Sequence, residues 1–190
     1  MRAEAVRIAG VGALLALALA GLVGWEGQAR AAGREVRLAM EGVDPRALLT
    51  GHYAELGLVE PLPPGAPCPP GTDIRARTGP FDERPAGWVA LAPAGAAWRP
   101  VAMADTRSGA LRSGPVAVRG RLECLAGERL QLDIGIRRFH ASQKEAEALE
   151  QALRADTPPR AFAVVSVGRD GRARLKGVEV GGRRVMLDWF

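Results

Sequence analysis

FAVVSVGRDGRARLKGVEV, residues 162–180, is the stretch that decides the fold. It begins with an apolar run rich in valine, Phe162 to Val167, which is typical of a β-strand. Gly168-Arg169-Asp170-Gly171 follows with the composition of a turn, and Ala173 to Val180 returns as a second strand. The stretch therefore predicts an antiparallel hairpin, the clearest one in the chain.

Strand signals recur along the rest of the chain. Val36, Leu38 and Met40 alternate with mainly charged neighbours, a period of two that indicates a half-buried strand. Similar candidates are Tyr53 to Val59, Gly87 to Leu91, Trp98 to Met103, Val116 to Cys124, Arg129 to Ile136 and Arg183 to Leu187. Six prolines between Glu60 and Pro70 predict an extended loop.

One helix is expected among these strands. Ser142 and Glu145 have the capping-box spacing, and Ala146, Leu149 and Leu153 continue it as an apolar stripe. The fold class is therefore mainly β (α+β). We predict a single domain of about eight short antiparallel strands with one helix, following an N-terminal transmembrane helix.

The N-terminal segment predicts the compartment. Residues 8–25 carry no charge, and eighteen helical residues rise about 27 Å, enough to cross the hydrocarbon core. Arg2 and Arg7 precede the segment and favour an N-terminus inside the cell. We predict a cytoplasmic tail (1–7), a transmembrane anchor (8–25) and an exported domain (26–190). A signal peptide cleaved near Ala29-Arg30-Ala31 is the alternative.

The basic charge of the chain does not indicate a nucleic-acid partner. The net charge is +5 and the pI is near 10.2, but the arginines are scattered singly among acidic and apolar residues. No basic run of the kind that binds nucleic acid is present in the sequence.

The two cysteines, Cys68 and Cys124, fit an exported domain, where thiols can pair as a disulfide. Their spacing alone does not establish the bond. Neither cysteine belongs to a C-x-x-C pair, so a zinc or redox site is not expected.

A motif near residue 50 is formed by Val43, Asp44, Pro45, Arg46, Gly51, Tyr53 and Leu56. This motif resembles that of the GDYXXLXY family of membrane-anchored bacterial proteins, although His52 replaces an aspartate and Leu58 replaces the final tyrosine. The resemblance implies an anchor in the bacterial inner membrane and a periplasmic domain (26–190). A later segment, Gly135-Ile136 with Phe139 and His140, also looks similar. The resemblance implies an exported domain without an established activity and a partner among multi-pass membrane proteins. We expect the matched residues to serve interaction, and His52 and His140 to face each other.

Three classes of function remain open at this point. A signal-peptidase-like hydrolase needs a serine nucleophile and a lysine base, but Ser108, Ser113, Ser142 and Ser166 lie in no such motif. A small-ligand module would use Trp88, Trp98 and Tyr53 as pocket walls. A metal held by the two histidines with Asp44 or Glu55 lacks supporting spacing.

Besides the hydrolase and the small-ligand module, the remaining class is a non-catalytic accessory subunit of a membrane complex. This is the function that we predict. Gly12, Ala16, Ala20 and Gly24 form a small-residue stripe on one face of the anchor, which permits close approach of another membrane helix. The expected partners are the membrane and another integral membrane protein. No cofactor, metal or catalytic residue is expected.

Overall fold

A computed structural model describes residues 2–40, 53–55, 57–74, 87–125, 129–136, 138–140 and 161–187. The elements in chain order are α1 (Arg2–Ala32), β1 (Arg34–Met40), β2 (Tyr53–Glu55), β3 (Val59–Pro61), β4 (Asp73–Ile74), β5 (Gly87–Ala94), β6 (Ala97–Ala104), α2 (Arg107–Leu111), β7 (Val116–Leu125), β8 (Arg129–Asp133), β9 (Arg138–His140), β10 (Ala161–Val167), β11 (Ala173–Val180) and β12 (Arg183–Met186). The mainly β fold after an N-terminal helix is confirmed.

Most strands pair in one long sheet. Its order is β12-β11-β10-β1-β6-β5-β7-β8-β3, and β4 pairs with β7. Most neighbours are antiparallel, as predicted, but β1 with β6 and β4 with β7 are parallel. Both parallel pairs join strands that are distant in the sequence, so no hairpin turn between them marks the pairing in the sequence.

The sheet bends around a single apolar core. Val178 of β11 and Leu130 of β8 come from opposite ends of the strand order, yet both are buried in the same cluster. The inward residues of β1 are Val36, Leu38 and Met40, which confirms the alternation read from the sequence. A smaller cluster of alanines packs where α2 lies against β5, β6 and β7.

Two local features differ from the expectation or extend it. The strand predicted from Tyr53 to Val59 is divided, because β2 pairs with β9 whereas β3 pairs with β8. The polar segment after β6 forms the short helix α2, capped by Thr106, whose side-chain oxygen accepts from Gly109 N. The helix predicted from Ser142 lies outside the described residues.

The N-terminal helix is longer than the charge-free run that predicts it. It has 31 residues, and 26 of them, Arg7–Ala32, are apolar enough on average to cross a membrane. No residue is buried in the 18-residue window that makes this helix apolar enough to cross a membrane. The large apolar side chains from Ile8 to Trp25 are between 47% and 74% exposed. The helix therefore projects from the domain without packing on the sheet for most of its length.

Candidate functional site at the helix–sheet junction

The helix passes into the sheet without a linker. α1 ends at Ala32 and β1 begins at Arg34, so Gly33 alone separates them. A Cβ atom at Gly33 would lie 2.1 Å from Ser166 Oγ and 3.0 Å from the carbonyl oxygen of Val167. Because such contacts are too short for a side chain, glycine is the residue that permits this close approach to β10.

An ion pair fastens the last turns of the helix to β11. Arg174 Nε lies 2.5 Å from Glu26 Oε1, and Arg174 Nη2 lies 3.2 Å from Glu26 Oε2, a bidentate arrangement. Both Nη atoms also lie 3.4 Å from carboxylate oxygens of Asp170. The side chain of Arg174 is only 9% exposed, whereas that of Glu26 is 55% exposed.

The electrostatics agree with this geometry. The hydrogen bond to Glu26 raises the pKa of Arg174 above its ordinary value, and Asp170 acts in the same direction. Partial burial raises the pKa of the Asp170 carboxyl, but hydrogen bonds from Arg172 N and Arg174 outweigh it and leave that pKa lowered. The charged forms of these groups therefore stabilise one another.

A second arginine ties the helix to the sheet through backbone groups. Arg30 lies one helical turn beyond Glu26, and its Nη2 donates to the carbonyl oxygens of Lys176 and Leu187, each at 3.1 Å. Leu187 directly follows β12, and its N–H donates to the Lys176 carbonyl at 2.7 Å. We define the helix–sheet junction as Glu26, Arg30, Gly33, Ser166, Asp170 and Arg174.

A ladder of ion pairs continues from the junction across the outer face of the sheet. Glu35 accepts from Lys176 Nζ at 2.7 Å and from Arg184 at 3.4 Å, and Glu179 joins Arg37 to Arg184. The hydrogen bond from Lys176 lowers the pKa of Glu35. These side chains are partly exposed, so each pair stabilises the fold by less than about 1 kcal/mol.

The described part of the family motif lies away from this junction. Tyr53 pairs with His140 and Ala54 with Phe139 in the small sheet formed by β2 and β9. The two segments read as family-like in the sequence are thus brought together by backbone pairing. The motif residues Asp44, Pro45, Arg46, Gly51, His52 and Leu56 lie outside the described residues, so the expected meeting of His52 and His140 stays a prediction.

The predicted disulfide is present. Cys68 and Cys124 are bonded, with their Cα atoms 6.0 Å apart and 56 positions apart in the sequence. The bond joins the proline-rich segment to β7. That segment is also held by β3, which pairs with β8, and by the buried side chains of Leu58 and Leu62.

The described serines do not form a nucleophilic site. Ser108 and Ser113 are exposed near α2, and the Thr106 hydroxyl is the hydrogen-bonding neighbour of Ser108. Ser166 is fully buried beneath Gly33, and its hydroxyl has no hydrogen-bond partner among the described residues. Ser142 lies outside the described residues. Across the described ranges, no group of three or more His, Cys, Asp or Glu side chains has the arrangement of a metal site.

Trp88 and Trp98 do not share a pocket. Trp98 packs on the main core, while Trp88 packs on the alanine cluster. An apolar recess lined by Trp98, Leu38, Leu58 and Glu60 has room for about one water molecule. Burial raises the pKa of Glu60, although Arg99, 3.6 Å away, opposes the shift.

The sequence alone did not predict the helix–sheet junction. Arg174 lies 148 positions away, and nothing in the local pattern relates the two residues. A partial signal existed in the four-residue spacing of Glu26 and Arg30, which places both on one face of a helix continuing past Trp25.

The structure is that of a curved β-sheet domain carried on one exposed apolar helix. The family model described as GDYXXLXY protein matches residues 15–178, and the chain belongs to this family. The matched range includes most of the helix and the junction residues. The same comparisons match no curated protein and no solved structure.

Proposed function

We propose that this protein is a single-pass accessory subunit of a membrane complex in the bacterial inner membrane. In this proposal the helix stays attached, the β domain lies in the periplasm, and the partner is another integral membrane protein. The observation that carries the proposal is the helix–sheet junction, which holds an exposed apolar helix and a folded domain as one body.

The junction supports a retained helix over a cleaved leader. Cleavage after Ala31 would remove Glu26 and Arg30. Arg174, which is 9% exposed, would lose its bidentate partner, and the carbonyls of Lys176 and Leu187 would lose their donor. Arg174 would keep only its contacts to Asp170 at 3.4 Å, and a mostly buried cation with a weakened carboxylate partner is unfavourable, which favours a retained helix.

The disulfide supports the periplasmic side. Cys68 and Cys124 pair within the domain, and structural disulfides persist in oxidising compartments such as the periplasm. The positions of Arg2 and Arg7 before the apolar run point to the same orientation.

The form of the helix supports a membrane partner. Its large apolar side chains are exposed, and in the described part of the chain nothing lies within 4 Å of a Cβ built on Gly12 or Gly24. With Ala16 and Ala20 they leave a face on which a second helix can approach closely. The buried state of Ser166 favours an interaction role over the hydrolase alternative.

A pair of matched substitutions tests the partner role. Ala16→Leu fills the small-residue face, whereas Ala18→Leu makes the same change about 200° away around the helix. With a tag after Phe190, we expect detergent purification to recover one stoichiometric membrane protein with the wild type and Ala18→Leu, and at least about tenfold less with Ala16→Leu. Recovery of no membrane protein, or equal loss in both variants, contradicts the proposal.

A further inference from the structure

We propose that the membrane-facing end of the β domain binds anionic lipid headgroups through three arginines. This headgroup surface consists of Arg119, Arg169 and Arg172, with Trp88 beneath Arg119. The inference rests on the retained helix of the proposed function, but it does not depend on a protein partner.

The topology directs the β10–β11 turn back toward the membrane. β1 leads away from the helix, and its first residue, Arg34, pairs with Val167 at the end of β10. The turn after Val167 therefore lies at the helix side of the domain. Through Arg174 and Asp170 it reaches Glu26, seven residues, or about 10 Å, before Gly33.

That level along the helix corresponds to the membrane surface. Glu26 directly follows the charge-free run, and Trp25, 72% exposed, is the kind of residue found at the boundary of lipid and water. A group level with Glu26 is thus placed among the lipid headgroups, and the turn carries two exposed arginines, Arg169 and Arg172.

The charged side chains at the β10–β11 turn differ in whether they form ion pairs. The carboxylates of Asp170 and Glu26 both contact Arg174. Arg169 and Arg172 are exposed, and neither has a carboxylate at ion-pair distance in the described part of the chain. Arg174 therefore holds both carboxylates at this turn, and Arg169 and Arg172 remain exposed beside them.

Arg119 extends the surface from β7, which meets the β10–β11 turn although it pairs with neither strand. Its N–H donates to the carbonyl of Gly171 at 2.8 Å, and its guanidinium lies 5.1 Å from the centre of the Trp88 ring. Gly171 has a φ of 76°, and a Cβ there would lie 2.2 Å from the Trp88 ring. The turn is thus packed tightly onto Trp88, which holds the backbone that carries Arg169 and Arg172 close to Arg119.

The chemistry matches a phosphodiester. A guanidinium presents paired N–H donors to two phosphate oxygens, and a membrane of negative surface potential attracts each basic residue near it. Zwitterionic phosphatidylcholine has the same phosphate but no net charge, so it distinguishes a charged surface from general contact with lipid.

The test measures lipid binding to the purified full chain in neutral detergent by native mass spectrometry. The probes are phosphatidylglycerol, phosphatidylcholine and inorganic phosphate. We expect phosphatidylglycerol to bind at least about tenfold more tightly than phosphatidylcholine, and Arg169→Gln/Arg172→Gln to remove that preference. Arg169→Lys/Arg172→Lys should retain most of it, because it keeps the charge.

The control is Arg183→Gln, which removes an exposed arginine beside the β11–β12 turn, at the opposite end of β11. Its phosphatidylglycerol affinity should equal that of the wild type. Equal affinity for both lipids, an unchanged preference in the double glutamine variant, or equally tight binding of inorganic phosphate would overturn the inference. The intact mass of the membrane-bound chain reports helix retention separately, so a failure of that premise is distinguishable.

Discussion

The helix–sheet junction and the proline-rich segment are both attached to the sheet, but by different means. At the junction, Arg174 and Arg30 provide ion-pair and hydrogen-bond contacts to groups more than 140 positions away. The proline-rich segment is held by the Cys68–Cys124 bond, by an edge strand and by apolar burial. The junction therefore depends mainly on charged contacts, whereas the proline-rich segment depends mainly on its disulfide and on apolar burial.

The largest expected effect concerns the covalent attachment. Cys68→Ala/Cys124→Ala opens a loop of 56 positions, and the chain-entropy estimate is a loss of about 4 kcal/mol in the free energy of unfolding. Urea denaturation of the full chain in detergent measures it, and the wild type with reductant is the control. A loss below about 1 kcal/mol would mean that edge pairing and burial suffice to hold the segment.

The second prediction removes the central cation of the junction. Arg174→Met leaves the carboxylates of Glu26 and Asp170 without their shared donor. Because hydrogen bonds to charged groups are each worth about 1.5–3 kcal/mol, we expect a destabilisation in that range, measured by the same urea titration.

The matched control is Arg184→Met on the same sheet. Its side chain is 41% exposed and also contacts two carboxylates, at 3.4 Å. Screening by solvent should limit the destabilisation caused by Arg184→Met to less than about 1 kcal/mol. Equal losses in the free energy of unfolding for the two variants would show that the burial of Arg174 does not strengthen its contacts to the carboxylates.

The third prediction concerns packing at the same place. Gly33→Ala brings a methyl group onto Ser166 Oγ and should destabilise the fold by about 1–3 kcal/mol. Gly27→Ala is the control, because nothing lies within 4 Å of its Cβ position, and it should be neutral or stabilising. Adding Ser166→Ala should recover part of the Gly33→Ala loss. No recovery would assign the loss to the Val167 carbonyl instead.

The sequence predicted those parts of the fold that have a local pattern. The alternation in β1 and the valine-rich run with its Gly-Arg-Asp-Gly turn identified two strands and a hairpin that the structure confirms. The disulfide was a possibility that only the Cα separation could decide. The ion pair of Glu26 with Arg174 and the parallel pairing of β1 with β6 depend on tertiary contacts between distant segments, which no periodicity encodes.

The smallest effects concern pH and have opposite signs in the two regions. Glu35, on the ladder beside the junction, has a lowered pKa in the folded state because Lys176 donates to it. It therefore stabilises the fold above its unfolded pKa of about 4.3, and this contribution is lost as the pH falls through the folded pKa. Glu60, in the proline-rich segment, has a pKa raised by burial, so its ionisation destabilises the fold at neutral pH.

Substitution by glutamine should separate these signs. At pH 7 we expect Glu35→Gln to be less stable than the wild type and Glu60→Gln to be more stable, each by less than about 1 kcal/mol because both side chains are partly exposed. Both differences should shrink as the pH falls. The Glu60 difference is lost below its unfolded pKa of about 4.3, and the Glu35 difference is lost as the pH falls through its folded pKa, which is lower. Urea titrations of the full chain at pH 7 and pH 3.5 measure them. Two differences of the same sign at pH 7 would contradict the contrast between Glu35, on the ladder beside the junction, and Glu60, in the proline-rich segment.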